Sequence, residues 1–216
     1  MFISIISLRK MYKAGGLLRI WHEFYENFFF DILNSTNTHE RLSVKEYKKN
    51  IHDIESAYDY VPSYASSISK SIHKIIMIDK DVLKDQFIDI GSGKGKALII
   101  ASQLGFKNGT GYEINLDLCN IGNKNLKKKK IYDRFKVINS SAMSQNNIPK
   151  FSICYMYNPF NENMSKVFFD MIYEKKLSKK RYLIYVNPIY SKHLNKKFKL
   201  VTKFNVGTQG IGIWSF

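Results

Sequence analysis

The stretch at residues 86–95, QFIDIGSGKG, constrains this chain more than any other. Residues 87–90 have the character of a buried strand and run without a spacer into Gly91-Ser92-Gly93-Lys94-Gly95, after which residues 96–106 read as a helix. Strand, glycine loop and helix in immediate succession mark a phosphate, nucleotide or nucleoside site. The glycines can take positive φ and let the backbone approach a ligand, and amides at the helix start are expected to face whatever is bound.

Spacing decides between ligands. A dinucleotide fingerprint counted from Gly91 and Gly93 needs a third small residue where Lys96 stands, which argues against NAD or FAD. A P-loop needs four residues before its Gly-Lys-Ser/Thr, whereas Gly91 to Gly95-Lys96 encloses only three and Ala97 follows, so no hydroxyl is placed for magnesium. What remains is Asp-x-Gly-x-Gly-x-Gly with Asp89 at the end of the strand. An acid there would repel a diphosphate and suits a ligand with a cationic amino group.

FIDIGSGKG resembles motif I of the class I S-adenosylmethionine-dependent methyltransferases, and most of all uncharacterised bacterial members with a DIGSGKG loop. Their loop is akin to that of the seven-strand protein-lysine methyltransferases. The family carries a second acid at the end of the next strand, and Gly109-Thr110-Gly111-Tyr112-Glu113-Ile114 supplies Glu113. The interval from Gly91 to Glu113 is about the twenty residues of one strand-helix-strand unit, and a carboxylate there can accept both ribose hydroxyls. The resemblance implies S-adenosyl-L-methionine as cofactor, held by Asp89, Gly91, Ser92, Gly93, Gly95 and Glu113. It also implies that Tyr60 and Ser63, in the Tyr-x-Pro-Ser segment before the first strand, close over the methionine end. Ser140-Ser141-Ala142 stands where the family often has Gly-Asp-Ala, so Ser141 and Ala142 are the adenine candidates, with a neutral hydrogen bond in place of a charged one.

The expected fourth strand, residues 151–157, ends in Tyr157-Asn158-Pro159-Phe160. This resembles motif IV, Asn/Asp-Pro-Pro-Phe/Tyr, of methyltransferases acting on amino nitrogens, with one proline absent. In open α/β sheets ligands sit beyond the carboxyl ends of the strands, so the first and fourth strands bring both motifs to one crevice. Methyl transfer is an in-line displacement that needs an unprotonated lone pair held about 3 Å from the sulfonium methyl. The resemblance gives Asn158, Pro159 and Phe160 the catalytic roles: Asn158 and a backbone carbonyl aim the amine, and Phe160 packs on the target.

The rest of the chain completes the same architecture. Residues 116–130 read as a helix whose terminal Lys127 to Lys130 run offsets the macrodipole. Residues 135–139 are the third strand, 162–177 a helix, 182–186 a fifth strand and 191–196 a short helix. Phe198, Leu200, Thr202 and Phe204 alternate with Lys197, Lys199, Val201 and Lys203, the pattern of a strand with one wet face. The chain turns at residues 207–210 and returns as a hairpin partner. The expected fold is α/β: a doubly wound, mostly parallel seven-strand sheet in the order 3-2-1-4-5-7-6, with a terminal antiparallel hairpin.

Before it lies an N-terminal extension. The domains read as residues 1–58, a helical extension or lid, and 59–216, the cofactor-binding domain. Leu17, Leu18, Trp21, Tyr25, Phe28, Phe29 and Ile32 recur at helical intervals with Arg19, Glu23, Glu26 and Asp31 between them, which predicts a buried aromatic face. A short helix is expected at residues 44–54, and a helix introduced by Tyr60 to Tyr64, with Ser63 or a nearby serine as N-cap, places Ile68, Ile72, Ile75 and Ile76 on one face.

At 216 residues, 44% hydrophobic and 14% aromatic, the chain has material for one sizeable core. The net charge of +16 suits polyanionic partners, but the lysines are spread along the whole chain, so nucleic acid is possible and not favoured over a solvated surface. Cys119 and Cys154 are far apart and the five histidines form no metal-spaced pair, which fits a reduced cytoplasmic compartment without a metal. The apolar start at residues 1–8 is too short to span a bilayer and carries its charges after the apolar run, so neither a signal peptide nor a transmembrane segment is expected.

Two functions stay open on sequence. One is an S-adenosylmethionine-dependent methyltransferase acting on an amino nitrogen of a protein lysine, a small-molecule amine or a nucleobase. The other is a non-catalytic protein of nucleoside-binding fold that uses its basic surface to hold RNA, a membrane or a protein partner. Deprotonating a lysine of pKa about 10.4 near pH 7 costs about 4 to 5 kcal/mol, and no base stands out in the sequence to share that cost. The acceptor and the oligomeric state are not legible.

Overall fold

A computed structural model describes residues 16–39, 60–144, 148–174, 179–194 and 198–216. The expectations for residues 1–8 and 44–54, and for the ends of the helices expected at 162–177 and 191–196, lie outside the described residues. Seven strands form one sheet: β1 (Gln86–Ile90), β2 (Gly109–Glu113), β3 (Phe135–Asn139), β4 (Phe151–Tyr157), β5 (Tyr182–Val186), β6 (Lys199–Val206) and β7 (Gln209–Ser215). Their order is β3-β2-β1-β4-β5-β7-β6, as the sequence predicts. All pairs from β3 to β5 are parallel, and β7 runs antiparallel to both β5 and β6.

The sheet is buried on both faces, and each helix covers the face that its own apolar residues match. Phe87, Ile153, Tyr155 and Ile184 belong to one core with α3 (Ala65–Ile78), α4 (Lys96–Gln103) and α5 (Leu116–Lys128). Ile88, Ile90, Cys154, Met156 and Tyr185 belong to the other with α6 (Glu162–Glu174). Period-2 alternation on β1 and β4 thus feeds two cores at once, as in any sheet covered on both sides.

Three local expectations are corrected. The strict alternation expected for β6 breaks because Leu200 pairs with Trp214 and Thr202 with Ile213, leaving Val201 as an extra residue. That bulge turns Leu200 outward, 45% exposed, and packs Val201 and Phe204 against the core. The N-cap of α3 is Tyr64, with no side-chain cap bond; Glu26 serves instead, accepting the Ser66 N–H at 2.8 Å. The third correction concerns the first helical stretch, α1 (Gly16–Glu23), a π-helical turn (Phe24–Phe29) and α2 (Phe30–Asn34). Its polar residues Glu26, Asp31 and Asn34 are buried with Phe30, while Leu17, Trp21, Tyr25, Phe29 and Ile32 are exposed.

Those polar residues are turned inward because each has a fixed task. Asp31 accepts the hydroxyls of Thr36 and Thr38 and the backbone N–H groups of Thr38 and His39, closing the chain back on α2. These bonds hold its carboxyl below the usual carboxylate range, against burial, which alone would raise it. Asn34 Oδ1 accepts from Gln103 Nε2 at 2.7 Å on α4. Asn125 on α5 then exchanges bonds with the Asn37 backbone and donates to the Lys94 carbonyl at 3.0 Å, tying this segment to the glycine loop.

Candidate active site

The glycine loop leaves β1 with Gly91, Gly93 and Gly95 all at positive φ. The amides of the loop itself are turned into the protein. The N–H groups of Gly91 and Ser92 both donate to the Tyr112 carbonyl at 2.9 Å, and that of Gly95 to the Ser92 carbonyl at 3.0 Å. Gly93 N–H donates to Glu113 Oε2 at 2.8 Å and Lys94 N–H to the Tyr60 hydroxyl at 3.4 Å. With its donors spent inside the protein, the loop is a poor phosphate cradle. That agrees with the exclusion of diphosphate ligands reached from spacing.

Two of the glycines are required by close approach. A Cβ on Gly93 would lie 2.2 Å from the Tyr60 ring, so Tyr60 can cover the loop only because residue 93 has no side chain. A Cβ on Gly91 would meet the Pro159 side chain at 3.0 Å, which places the exit of β4 directly against the loop. Residues distant in sequence thereby share one wall.

The result is a cavity of about 320 Å³ beyond the carboxyl ends of β1, β2 and β4. Of the residues expected from sequence, Tyr60, Ser63, Asp89, Gly91, Ser92, Glu113, Asn158 and Pro159 line it. Gly93 and Gly95 shape the loop behind it. Ser141 and Ala142 are not in the lining: Ser141 Oγ accepts the Met143 N–H at 3.2 Å in a local turn, and Ala142 is buried in the core on the α6 side. Phe160 is likewise in that core, 7% exposed, its ring 5.2 Å from that of Phe168. It lies outside the cavity lining.

Lys96, Ile114, Tyr155 and Tyr157 also line the cavity and were not singled out by sequence. Tyr155 and Tyr157 are two apart on β4 and so share the face that leads to Asn158, a signal present in the period of the strand. Tyr155 donates to Ser63 Oγ at 2.7 Å, and Lys96 Nζ donates to the Ser63 carbonyl at 3.2 Å. The segment 60–63 is therefore held over the cavity by one residue from β4 and one from α4. Asn158 stands at φ 44°, and its Oδ1 accepts from the buried Tyr185 hydroxyl at 2.8 Å.

Two carboxylates meet here. Burial pushes the Asp89 carboxyl up to about 7, and the nearby charge of Glu113 adds to the effect. Glu113 is anchored, its Oε1 accepting the Asn115 N–H and its Oε2 the Gly93 N–H, both at 2.8 Å. The site's chemistry fits S-adenosylmethionine: Asp89 for an ammonium, Glu113 for two ribose hydroxyls and Ile114 for an apolar ring. The same set fits a pyrophosphate badly.

This sheet order is that of the class I, Rossmann-like methyltransferase fold. An RNA methyltransferase from Salinibacter ruber in complex with S-adenosyl-L-homocysteine superposes with a TM-score of 0.55 at 16% identity, over 68% of this chain and 90% of the other. A provisionally named Escherichia coli methyltransferase gives 0.56 at 15% identity, over 68% and 84%. A ribosomal protein L11 methylase from Lactobacillus delbrueckii subsp. bulgaricus gives 0.50 at 16%, over 65% and 78%. No family model matches the sequence, and no curated protein does.

Proposed function

We propose that this protein is an S-adenosylmethionine-dependent methyltransferase acting on an amino nitrogen. The observation that carries the reading is the meeting of Asp89, Glu113, Asn158 and Pro159 in one cavity roofed by Tyr60 and Ser63. The bound cofactor supplies an electrophilic methyl group on a sulfonium. Asp89 takes its amino group, Glu113 its ribose hydroxyls, and the 60–63 segment covers it, excluding water. Asn158 and the backbone beside Pro159 accept hydrogen bonds from the acceptor amine and aim its lone pair, with positioning as the main source of rate. Residues 1–58 are taken as an N-terminal extension, whose described part is tied to the start of α3 by Glu26 and, through Asn125, to the glycine loop.

The cavity favours an acceptor that is neutral near pH 7. Its lining contains no histidine or cysteine among the described residues. Burial raises the phenols of Tyr60 and Tyr155 far above neutrality, so neither can take a proton from an ammonium. Asp89 and Glu113 are committed to the cofactor. A lysine would carry its full deprotonation cost of about 4 to 5 kcal/mol, whereas an exocyclic nucleobase amine carries none. The names of the Salinibacter ruber neighbour and the net charge of +16 support a nucleic-acid acceptor, which the even spread of lysines had disfavoured. Incubating extract from cells lacking the protein with labelled cofactor and purified protein tests this. Label is expected in RNA; label in protein or small molecules would refute the nucleobase reading, and no transfer at all would refute the enzyme.

A further inference from the structure

The first helical stretch is turned inside out relative to its composition. Leu17, Trp21, Tyr25, Phe29, Ile32 and Leu33 are between 41% and 69% exposed, whereas Glu26 and Asp31 are 4% and 5% exposed. A surface helix ordinarily buries its apolar stripe and wets its charges. Here Glu26 is spent on the start of α3 and Asp31 on the turn at residues 36–39. The π-helical turn at Phe24–Phe29 widens the rotation and brings Tyr25 and Phe29 into a stack with ring centroids 5.5 Å apart. The outward face continues into a recess of about 310 Å³ against Ala65 and Leu104, with Glu26 and Gln103 in its wall.

We propose that this face docks the protein on a lipid surface with anionic headgroups. Glu26 and Asp31 are turned inward, away from such a surface, and the chain's charge of +16 attracts it. Trp and Tyr beside Leu and Ile form the mixed apolar face that sits at the boundary of headgroups and acyl chains. A second copy of the chain is a poor occupant, because two bodies of +16 repel each other. Single-stranded nucleic acid stacks its bases on aromatic platforms, whereas here Leu17, Ile32 and Leu33 interleave Trp21, Tyr25 and Phe29 with aliphatic surface that suits acyl chains. No helix among the described residues is long and apolar enough to cross a membrane, so the contact lies in the plane of the interface. The inference is independent of the methyl-transfer reading.

The two tryptophans make the test direct, since Trp21 is 67% exposed and Trp214 is fully buried. Full-length protein is mixed with vesicles of phosphatidylcholine alone or with phosphatidylglycerol, and emission and co-sedimentation are followed. The expected result is a blue shift and sedimentation with the anionic vesicles, weakened roughly thirtyfold by Trp21→Glu. Leu33→Glu, a second exposed position, should weaken it similarly, with the thermal midpoint of both variants unchanged. The proposal is overturned by no binding to anionic vesicles or by binding that both variants retain. It is equally overturned by a wild-type dimer, or an RNA complex, that Trp21→Glu abolishes.

Discussion

Two neighbouring strand exits carry the same dipeptide in the same conformation and have different fates. Asn158-Pro159 leaves β4 with Asn158 at φ 44°, and Asn187-Pro188 leaves β5 with Asn187 at φ 46°. They brace each other: the Tyr185 hydroxyl of β5 donates to Asn158 Oδ1 at 2.8 Å, and Asn187 Nδ2 donates to the Tyr157 hydroxyl of β4 at 2.9 Å. Only Asn158 and Pro159 line the cavity. Asn187 is also tied to the final hairpin, its N–H donating to the Gly210 carbonyl at 2.7 Å and its Oδ1 accepting the Gly210 N–H at 3.1 Å.

The cause of the difference is strand direction. β4 is flanked by β1 and β5, both parallel to it, so all three end at the same edge and leave a crevice beyond it. β5 has antiparallel β7 on its far side, and the β6–β7 turn arrives where the crevice would continue and closes it. An identical motif is thus a candidate for chemistry at one exit and a structural clamp at the other. Asparagine suits both, because its short polar side chain tolerates the left-handed region.

The sharpest way to break this contrast is to replace each asparagine by glycine, which keeps the left-handed backbone and removes only the amide. Asn158→Gly should lower methyl transfer about a hundredfold while cofactor affinity by calorimetry stays within about twofold. If transfer survives, the open exit is no more functional than the closed one. A second, smaller effect is expected from pH. Asp89 has a folded pKa raised from 3.8 to about 7, so its contribution to the stability of the ligand-free protein is full below pH 3.8 and is lost as pH rises through about 7. The cofactor's ammonium requires the ionised form. Affinity should therefore fall by up to about tenfold per pH unit below 7 and level off above it, and Asp89→Asn should flatten that profile.

Tyr185→Phe removes the brace on Asn158 without entering the cavity, and a fall in transfer of about fivefold with unchanged cofactor affinity is expected. An unaltered rate would show that Asn158 needs no such support. Least affected should be the activity of Asn187→Gly, within about threefold of wild type. That variant should instead lose roughly 2 kcal/mol of stability in urea unfolding, the worth of its lost hydrogen bonds.

Much of this molecule was legible in its sequence, and the misses have a common cause. Strand order followed from the family resemblance, and the placement of Asp89, Glu113 and Asn158 from motif spacing and from the rule that parallel strands deliver their carboxyl ends to one edge. Periodicity, however, says which residues share a face and not which face is inward. Glu26, Asp31 and Asn34 are buried because they bond to α3, to residues 36–39 and to α4, partners that no local pattern names. Phe160 was read as part of the site from its neighbours in sequence, whereas the chain turns its ring into the α6 core beside Phe168.

The central claim is that the cavity between the glycine loop and the exit of β4 holds S-adenosylmethionine. Calorimetric titration of the wild-type protein at pH 8 tests it most directly, with Asp89→Asn as the comparison. A single saturable site, weakened at least about tenfold in the variant, is the predicted result. No binding to the wild type, or equal binding to both, would contradict it.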